Sequence, residues 1–285
     1  MKGIALTSTG LRPLASAALP RPLKNALWSA YNAAAAAQQM LFERRLGVST
    51  AGHDYLEDGL GSEHVFYEGC EWIPVRRALA ALEPGPADVF VDLGSGKGQG
   101  MLIAAGLPYG RVLGVELSES WHQAAERNIA QARPHLRCST VWSQAADVLT
   151  WPIPDDLTTV FMYSPFTGQV FRAAAQRLFD SYDRFPRPLH IVYDYPWEHD
   201  WLISTGRVVV EDVRPAQWPA KPWWWRTGWV IVTYRVVAAS AASIPPLELP
   251  RRPLRPARAV ARWTGPNENR FVLTRPGAAP VYSRP

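Results

Sequence analysis

From residue 89 to residue 193 short apolar runs alternate with helix-patterned segments, and this alternation constrains the fold more than any other feature of the 285-residue chain. The runs are 89–93, 111–117, 140–142, 158–163 and 189–193. Helical patterns fill 101–107, 118–133 and 169–185, and a short helix is expected at 197–204. In the second of these Ser118 caps a stripe of Trp121, Ala125 and Ile129. Strands and helices alternating at this spacing form β-α-β units, which lay the strands parallel in one sheet. The chain then changes habit. Segments 207–213 and 229–237 both read as strands, with no helix between them. They are expected to pair as an antiparallel hairpin across a Pro- and Trp-rich loop that holds Trp223, Trp224 and Trp225. Three adjacent tryptophans do not all face one core. The loop therefore either packs beneath the hairpin or offers a ring to a substrate pocket or a protein interface.

The flanks are of a different kind. Residues 1–20 carry little pattern and are expected to be poorly ordered; Ser8, Thr9, Arg12 and Pro13 make a secretory signal a poor fit. Residues 22–46 read as a helix with Leu23, Leu27, Ala30 and Tyr31 on one face and Gly47 as its stop. A Gly- and acid-rich loop, 50–69, leads to a short helix at 73–82 that carries Pro74 in its first turn. The expected division is an N-terminal helical extension or cap over 21–84, a ligand-binding domain over 85–243, and a Pro/Arg-rich tail over 244–285. Pro recurs nine times from residue 245 to the end. Without apolar periodicity such a tail does not offset its ordering entropy, so most of it is expected to lack regular structure.

Charge follows the same division. Residues 251–285 hold eight Arg and one Glu, a net +7 against +5 for the whole chain, which leaves −2 for residues 1–250. The body therefore has no basic surface with which to grip nucleic acid, and any such contact would run weakly through the tail. No apolar stretch approaches the roughly 18 residues that span a bilayer. The two cysteines, Cys70 and Cys138, form no C-x-x-C, so neither a disulfide framework nor a cysteine-bound zinc is expected. A reducing, cytoplasmic setting fits. The six histidines show no metal-ligand spacing, and no catalytic metal is expected. Nothing in the pattern speaks to oligomeric state.

The informative segment is Val91-Asp92-Leu93-Gly94-Ser95-Gly96-Lys97-Gly98-Gln99-Gly100, between a strand and a helix, where doubly wound sheets bind their ligands. A Walker loop would have Ser or Thr after Lys97, and Gly98 stands there. A dinucleotide fingerprint would have its third glycine at Gln99. What remains is D-x-G-x-G-x-G. An acid two residues ahead of the first glycine repels phosphate and suits a cationic ligand. S-adenosylmethionine has an amino group, a sulfonium and no phosphate. Glu116, at the end of the next strand, is 18 residues after Gly98, near the spacing of an acid that accepts both ribose hydroxyls.

Residues 90–98, followed by Gly114-Val115-Glu116-Leu117-Ser118, resemble class I S-adenosylmethionine-dependent methyltransferases. The resemblance covers roughly residues 65–238, terminal hairpin included. Within that superfamily the chain looks like a group of bacterial methyltransferases that pair the first motif with Y-[NS]-P-F, here Tyr163-Ser164-Pro165-Phe166. The glycine loop is also similar to that of Dot1-type protein-lysine methyltransferases. The resemblance implies a Rossmann-like seven-stranded sheet, with S-adenosylmethionine laid along the strand ends against Asp92, Gly94, Ser95, Gly96, Gly98 and Glu116. It places Asp147 against the adenine amino group, the alternative being a helix cap. Tyr67 and Glu68 either fold over the cofactor or sit in a solvated loop.

Methyl transfer requires alignment of the acceptor and exclusion of water, and it requires a base only where the acceptor holds a proton. In amine-methylating relatives the strand-four segment reads [NDS]-P-P-[YF]. Ser164 and Phe166 fit that pattern, with Phe166 standing where the second proline is expected. The other reading is a strand end closed by proline. Asp194, Tyr195, Glu198 and His199 follow the fifth strand on the same rim, and His199 has the ordinary pKa best suited to a base. The function expected is methyl transfer to an unidentified acceptor, a small molecule or a protein side chain. Protein-lysine methylation of the Dot1 kind is one alternative; a cofactor-binding scaffold without turnover is the other.

Overall fold

The computed structural model describes residues 20–54, 67–216 and 230–239, together with the backbone of 260–263 and 271–274. Residues 1–19, the Trp223–Trp225 loop and most of the C-terminal tail lie outside the described residues.

The chain opens with α1 (Arg21–Leu46), which ends at Gly47 in the left-handed conformation. Two short strands, β1 (His53–Asp54) and β2 (Tyr67–Glu68), pair antiparallel before α2 (Trp72–Ala80). The regular part follows: β3 (Val89–Leu93), α3 (Gln99–Ala105), β4 (Arg111–Glu116), α4 (Glu119–Ala132), β5 (Val141–Ala145), β6 (Thr159–Tyr163), α5 (Gly168–Arg184), β7 (His190–Asp194), α6 (His199–Ser204), β8 (Val208–Pro215) and β9 (Val230–Val236). Strands β3 to β7 are parallel, and β9 runs antiparallel between β7 and β8. The sheet order is β5-β4-β3-β6-β7-β9-β8. The parallel strands and the terminal antiparallel hairpin are those the spacing of strands and helices predicts, and the whole is the α/β, Rossmann-like, seven-stranded sheet that the resemblance implies. A separate pair, β10 (Val260–Trp263) and β11 (Phe271–Thr274), forms a short antiparallel ladder inside the segment expected to lack regular structure.

The strands are apolar on both faces because helices cover both. Val89, Val91 and Leu93 turn to the α5 and α6 side, where they meet Phe171, Leu178 and Leu202. Phe90 turns to the other side, among Val75 and Leu79 of α2, Met101 of α3 and Ile129 of α4. Fully buried side chains of this size each contribute about 1.5–3 kcal/mol relative to exposure. Helix α2 thus belongs to a layer of the sheet, although it precedes the first parallel strand. Helix α1 is far less embedded: Leu23, Leu27, Trp28, Met40 and Leu41 are exposed. Among the described residues no helix is long and apolar enough to cross a membrane.

The order reverses direction at β3, with β4 and β5 built to one side and β6 and β7 to the other. A sheet of this kind opens a crevice at the carboxyl ends of its strands where the order reverses. Both the glycine loop after β3 and the Tyr163–Phe166 segment at the end of β6 arrive there.

Candidate functional site

The loop after β3 is a tight coil held by its own backbone. Gly94 and Ser95 donate their N–H groups to the Val115 carbonyl at 2.8 and 3.1 Å, and Gly98 donates to the Ser95 carbonyl at 2.8 Å. Gly94 has φ +75°, and a Cβ there would lie 2.2 Å from Cβ of Pro165. At Gly96, φ is +52°, and a Cβ would meet the Tyr67 ring at 2.4 Å. Glycine is required twice over at each position, by conformation and by contact. The two segments that the motif reading singles out, 94–98 and 163–166, therefore touch through Gly94 and Pro165.

A cleft opens above this loop. Its wall includes Tyr67, Glu68, Asp92, Gly94, Ser95, Gly96, Glu116, Asp147, Tyr163 and Phe166. Among the described residues of the lining four side chains are carboxylates, Glu68, Asp92, Glu116 and Asp147, and none is Lys, Arg or His. Glu116 is 4% exposed. Its Oε2 accepts the Gly96 N–H at 2.7 Å and its Oε1 accepts the Ser118 N–H at 2.8 Å, so it joins the glycine loop to the start of α4. Burial raises its pKa against the pull of those donors. Asp92 is held well above the usual carboxylate range by burial first and by the Glu116 charge second, with the Met101 N–H opposing both. Two neighbouring buried carboxylates with raised pKa values are a place where a cation is welcome.

Asp147 sits in the turn after β5, and its Oδ1 accepts the Leu149 N–H at 2.8 Å. It lines the cleft and caps a turn rather than a helix. Tyr67 closes the cleft from above. Its ring lies over Gly96, 5.5 Å from the Trp121 ring and 4.9 Å from the Lys97 ammonium, and its hydroxyl donates to the Thr50 carbonyl. Gly98 is the exception among the expected cofactor residues. It leads into α3 and turns to α4, where a Cβ would lie 3.2 Å from Cβ of Ala125. Its small size lets the loop pack on α4, and it forms no part of the cleft wall.

On the β6 and β7 side the structure divides the expected residues. Tyr163, Pro165 and Phe166 line the cleft, and Phe166 is anchored against Phe171 at 6.4 Å between ring centroids. Ser164 is buried with φ +40°, and its hydroxyl turns away from the cleft to donate to the carbonyls of Tyr195 and Asp194. Ser164 is not part of the cleft wall. His199 stands at the start of α6. Its Nδ1 is 2.6 Å from the Tyr234 hydroxyl, and burial lowers its pKa. It too is absent from the cleft wall.

Gln99 and Trp121 are among the cleft residues that sequence reasoning passed over. Gln99 enters the motif argument only as the residue that breaks a dinucleotide fingerprint. The structure buries it in the first turn of α3 on the cleft wall, with Nε2 donating to Gln39 Oε1 at 3.1 Å and to the Cys70 carbonyl. Its Oε1 and the Ser95 hydroxyl are buried without a hydrogen-bond partner among the described residues. A lone amide in the apolar run Gln99–Ala105 was the available signal. Trp121 reads as a core stripe residue of α4 and instead stands on the cleft beside Tyr67. Among the described residues no group of three His, Cys, Asp or Glu is placed to hold a metal ion.

No protein-family model matches the chain, and no curated protein matches it. Solved structures do. A TehB-like SAM-dependent methyltransferase from Corynebacterium glutamicum is 12% identical, covering 58% of this chain and 89% of its own, with a TM-score of 0.41. An RNA methyltransferase from Salinibacter ruber, solved with S-adenosylhomocysteine, is 18% identical over 63% of this chain and 95% of its own, with a TM-score of 0.39. Geranyl diphosphate C-methyltransferase from Streptomyces coelicolor, also solved with S-adenosylhomocysteine, is 18% identical over 56% and 76%, with a TM-score of 0.41.

Proposed function

We propose that the chain is a class I S-adenosylmethionine-dependent methyltransferase whose cofactor occupies the cleft above residues 94–98. The observation that carries this reading is the lining: among the described residues, four carboxylates and no basic side chain at the carboxyl ends of parallel strands. A pyrophosphate cofactor would meet like charge on these carboxylates, whereas a ligand carrying an ammonium and a sulfonium meets opposite charge. The partnerless Ser95 hydroxyl and Gln99 Oε1 are hydrogen-bonding groups of the kind a polar ligand satisfies. Glu116 would hold the ribose through the acceptor sites its two N–H bonds leave, and Asp147 the adenine amino group. Tyr67 would cover the ligand and exclude water.

When bound, the cofactor supplies an electrophilic methyl group with its own leaving group. The protein's work is then to bind, align and dehydrate. On that account the acceptor enters between Glu68 and the ends of β6 and β7, against Tyr163 and Phe166, and the acceptor itself stays unidentified. Ser164 and His199 support this rim through hydrogen bonds to Tyr195 and Tyr234. Isothermal titration of the purified chain with S-adenosylhomocysteine and with NAD tests the reading. Micromolar binding of the first and negligible binding of the second are expected; the reverse would overturn it.

A further inference from the structure

Tyr67 is seated over the glycine loop through the segment that joins α1 to β1, and that segment is gathered by one side chain. Glu43, in the last turn of α1, accepts four donors at Oε1: the N–H of Thr50 at 2.5 Å, the N–H of Ala51 at 2.7 Å, the Thr50 hydroxyl at 3.1 Å and Nε2 of Gln39 at 2.9 Å. Thr50 is fully buried, and its carbonyl receives the Tyr67 hydroxyl. The strand that leaves this segment pairs with the strand that carries Tyr67, Asp54 opposite Tyr67. Two further amides tie the same segment to the glycine loop. Asn128 of α4 accepts the Ser49 N–H at 3.0 Å and donates to the carbonyls of Ser49 at 3.0 Å and Lys97 at 2.9 Å. Gln99 reaches back to Gln39, which also donates to Thr50 Oγ1 at 3.0 Å.

We propose that Glu43 is a positioning residue for cofactor binding, acting through Thr50 and the Tyr67 hydroxyl to set how closely the Tyr67 ring lies on Gly96. The proposal rests on the cleft's being the cofactor site. Leu23, Leu27, Trp28, Met40 and Leu41 of α1 are exposed, and the hydrogen bonds described for the Glu43 side chain run to Gln39 and to the turn at Thr50 and Ala51. What the carboxylate does is collect the backbone donors of a turn and present the Thr50 carbonyl to one tyrosine. An aromatic lid placed in this way costs no ordering when ligand arrives.

A double-mutant cycle on the full chain, with S-adenosylhomocysteine as the probe, tests this. Glu43→Ala and Tyr67→Phe are each expected to weaken binding about tenfold, and the double variant no more than the weaker single one, because both remove the same link. Glu43→Gln, whose amide oxygen can accept the same N–H groups, should restore most of the loss. If Glu43→Ala does not fold, Glu43→Met keeps the helix packing and takes its place. Additive losses in the double variant, or full affinity in a folded Glu43→Ala, would overturn the proposal. Amide hydrogen exchange of the ligand-free protein separates this from the cofactor reading. Exchange over residues 94–98 should quicken in Glu43→Ala and Tyr67→Phe and stay slow in Glu43→Gln. If the wild-type chain takes up no S-adenosylhomocysteine, the cofactor reading falls and the exchange result alone decides the role of Glu43; unchanged exchange sinks it.

Discussion

The two halves of the cleft are built on different principles. The half on β3 and β4 consists of backbone N–H groups and carboxylates a few residues apart in sequence: the loop 94–98 is coiled on the Val115 carbonyl, and Glu116 closes it through Gly96 and Ser118. The half on β6 and β7 consists of side chains brought from distant segments. There Tyr163 donates to Glu68 at 3.3 Å, and Ser164 bonds to the end of β7. Both of these strands end in a residue with positive φ that is not glycine, Ser164 at 40° and Tyr195 at 59°. Such residues persist only where the surroundings over-determine them, and they gather at functional sites. One half is a local motif that many ligand-binding sheets can carry. The other depends on side chains far apart in sequence, and under the proposed function it is the half that would meet the acceptor.

The halves meet at Gly94 and Pro165, so the hardest blow to both is Gly94→Val. With φ +75° and a Cβ 2.2 Å from Pro165, it should lose S-adenosylhomocysteine binding altogether and cost about 2–4 kcal/mol of stability, read by titration and by urea denaturation. Retention of both would mean that the loops separate freely. Next in size, Glu116→Ala should weaken cofactor binding by about 1.5–3 kcal/mol, the range for hydrogen bonds to a charged group, without changing the circular dichroism. Unaltered affinity would leave Glu116 as a loop clamp only.

A pH experiment sharpens the contrast. Burial and Glu116 hold the Asp92 pKa above its ordinary 3.8, so the folded chain keeps a proton there that the unfolded chain has lost. The stability this gives is present near pH 3.8 and disappears as pH rises through the folded value. Asp92→Asn should therefore become more stable than wild type at neutral pH, with the gap narrowing as pH falls. His199, whose pKa burial lowers, acts with the opposite sign below about pH 6.5, but it is common to both proteins and cancels in the difference. A gap that is flat with pH would show Asp92 to be ionised in the free protein. The smallest effects belong to the other half. Ser164→Ala and His199→Gln should each lower stability by about 1 kcal/mol, the worth of one hydrogen bond, and leave cofactor affinity within about twofold. A tenfold loss from either would bring that residue back to the ligand.

The parts of the site that could be read beforehand are those whose partners are close in sequence. Asp92, Gly94, Ser95, Gly96 and Glu116 lie within one β-α-β unit, so the strand-loop-helix pattern already places them. Gly98 shows the limit of this, since the motif names the residue and not the direction it faces. Ser164 and His199 lie on the expected rim, but their hydrogen bonds go to Tyr195 and Tyr234, 31 and 35 residues away. No periodicity announces such a link.

Seven strands, their parallel and antiparallel directions, and the acid-led glycine loop between the first two strands of the parallel sheet were legible in the order of residues. These follow from periods of 2 and 3.6, from turn chemistry and from short spacings, all local properties of a chain. It took the packed fold to show that Gln99 and Trp121 face the cleft, that Tyr67 covers Gly96, and that Glu43 at the end of α1 is tied through Thr50 to that tyrosine. Those outcomes depend on which surfaces meet once the helices have packed on the sheet. A side chain's hydrogen-bonding partner across 20 or more residues is set by that packing, and the residues alone carry no mark of it.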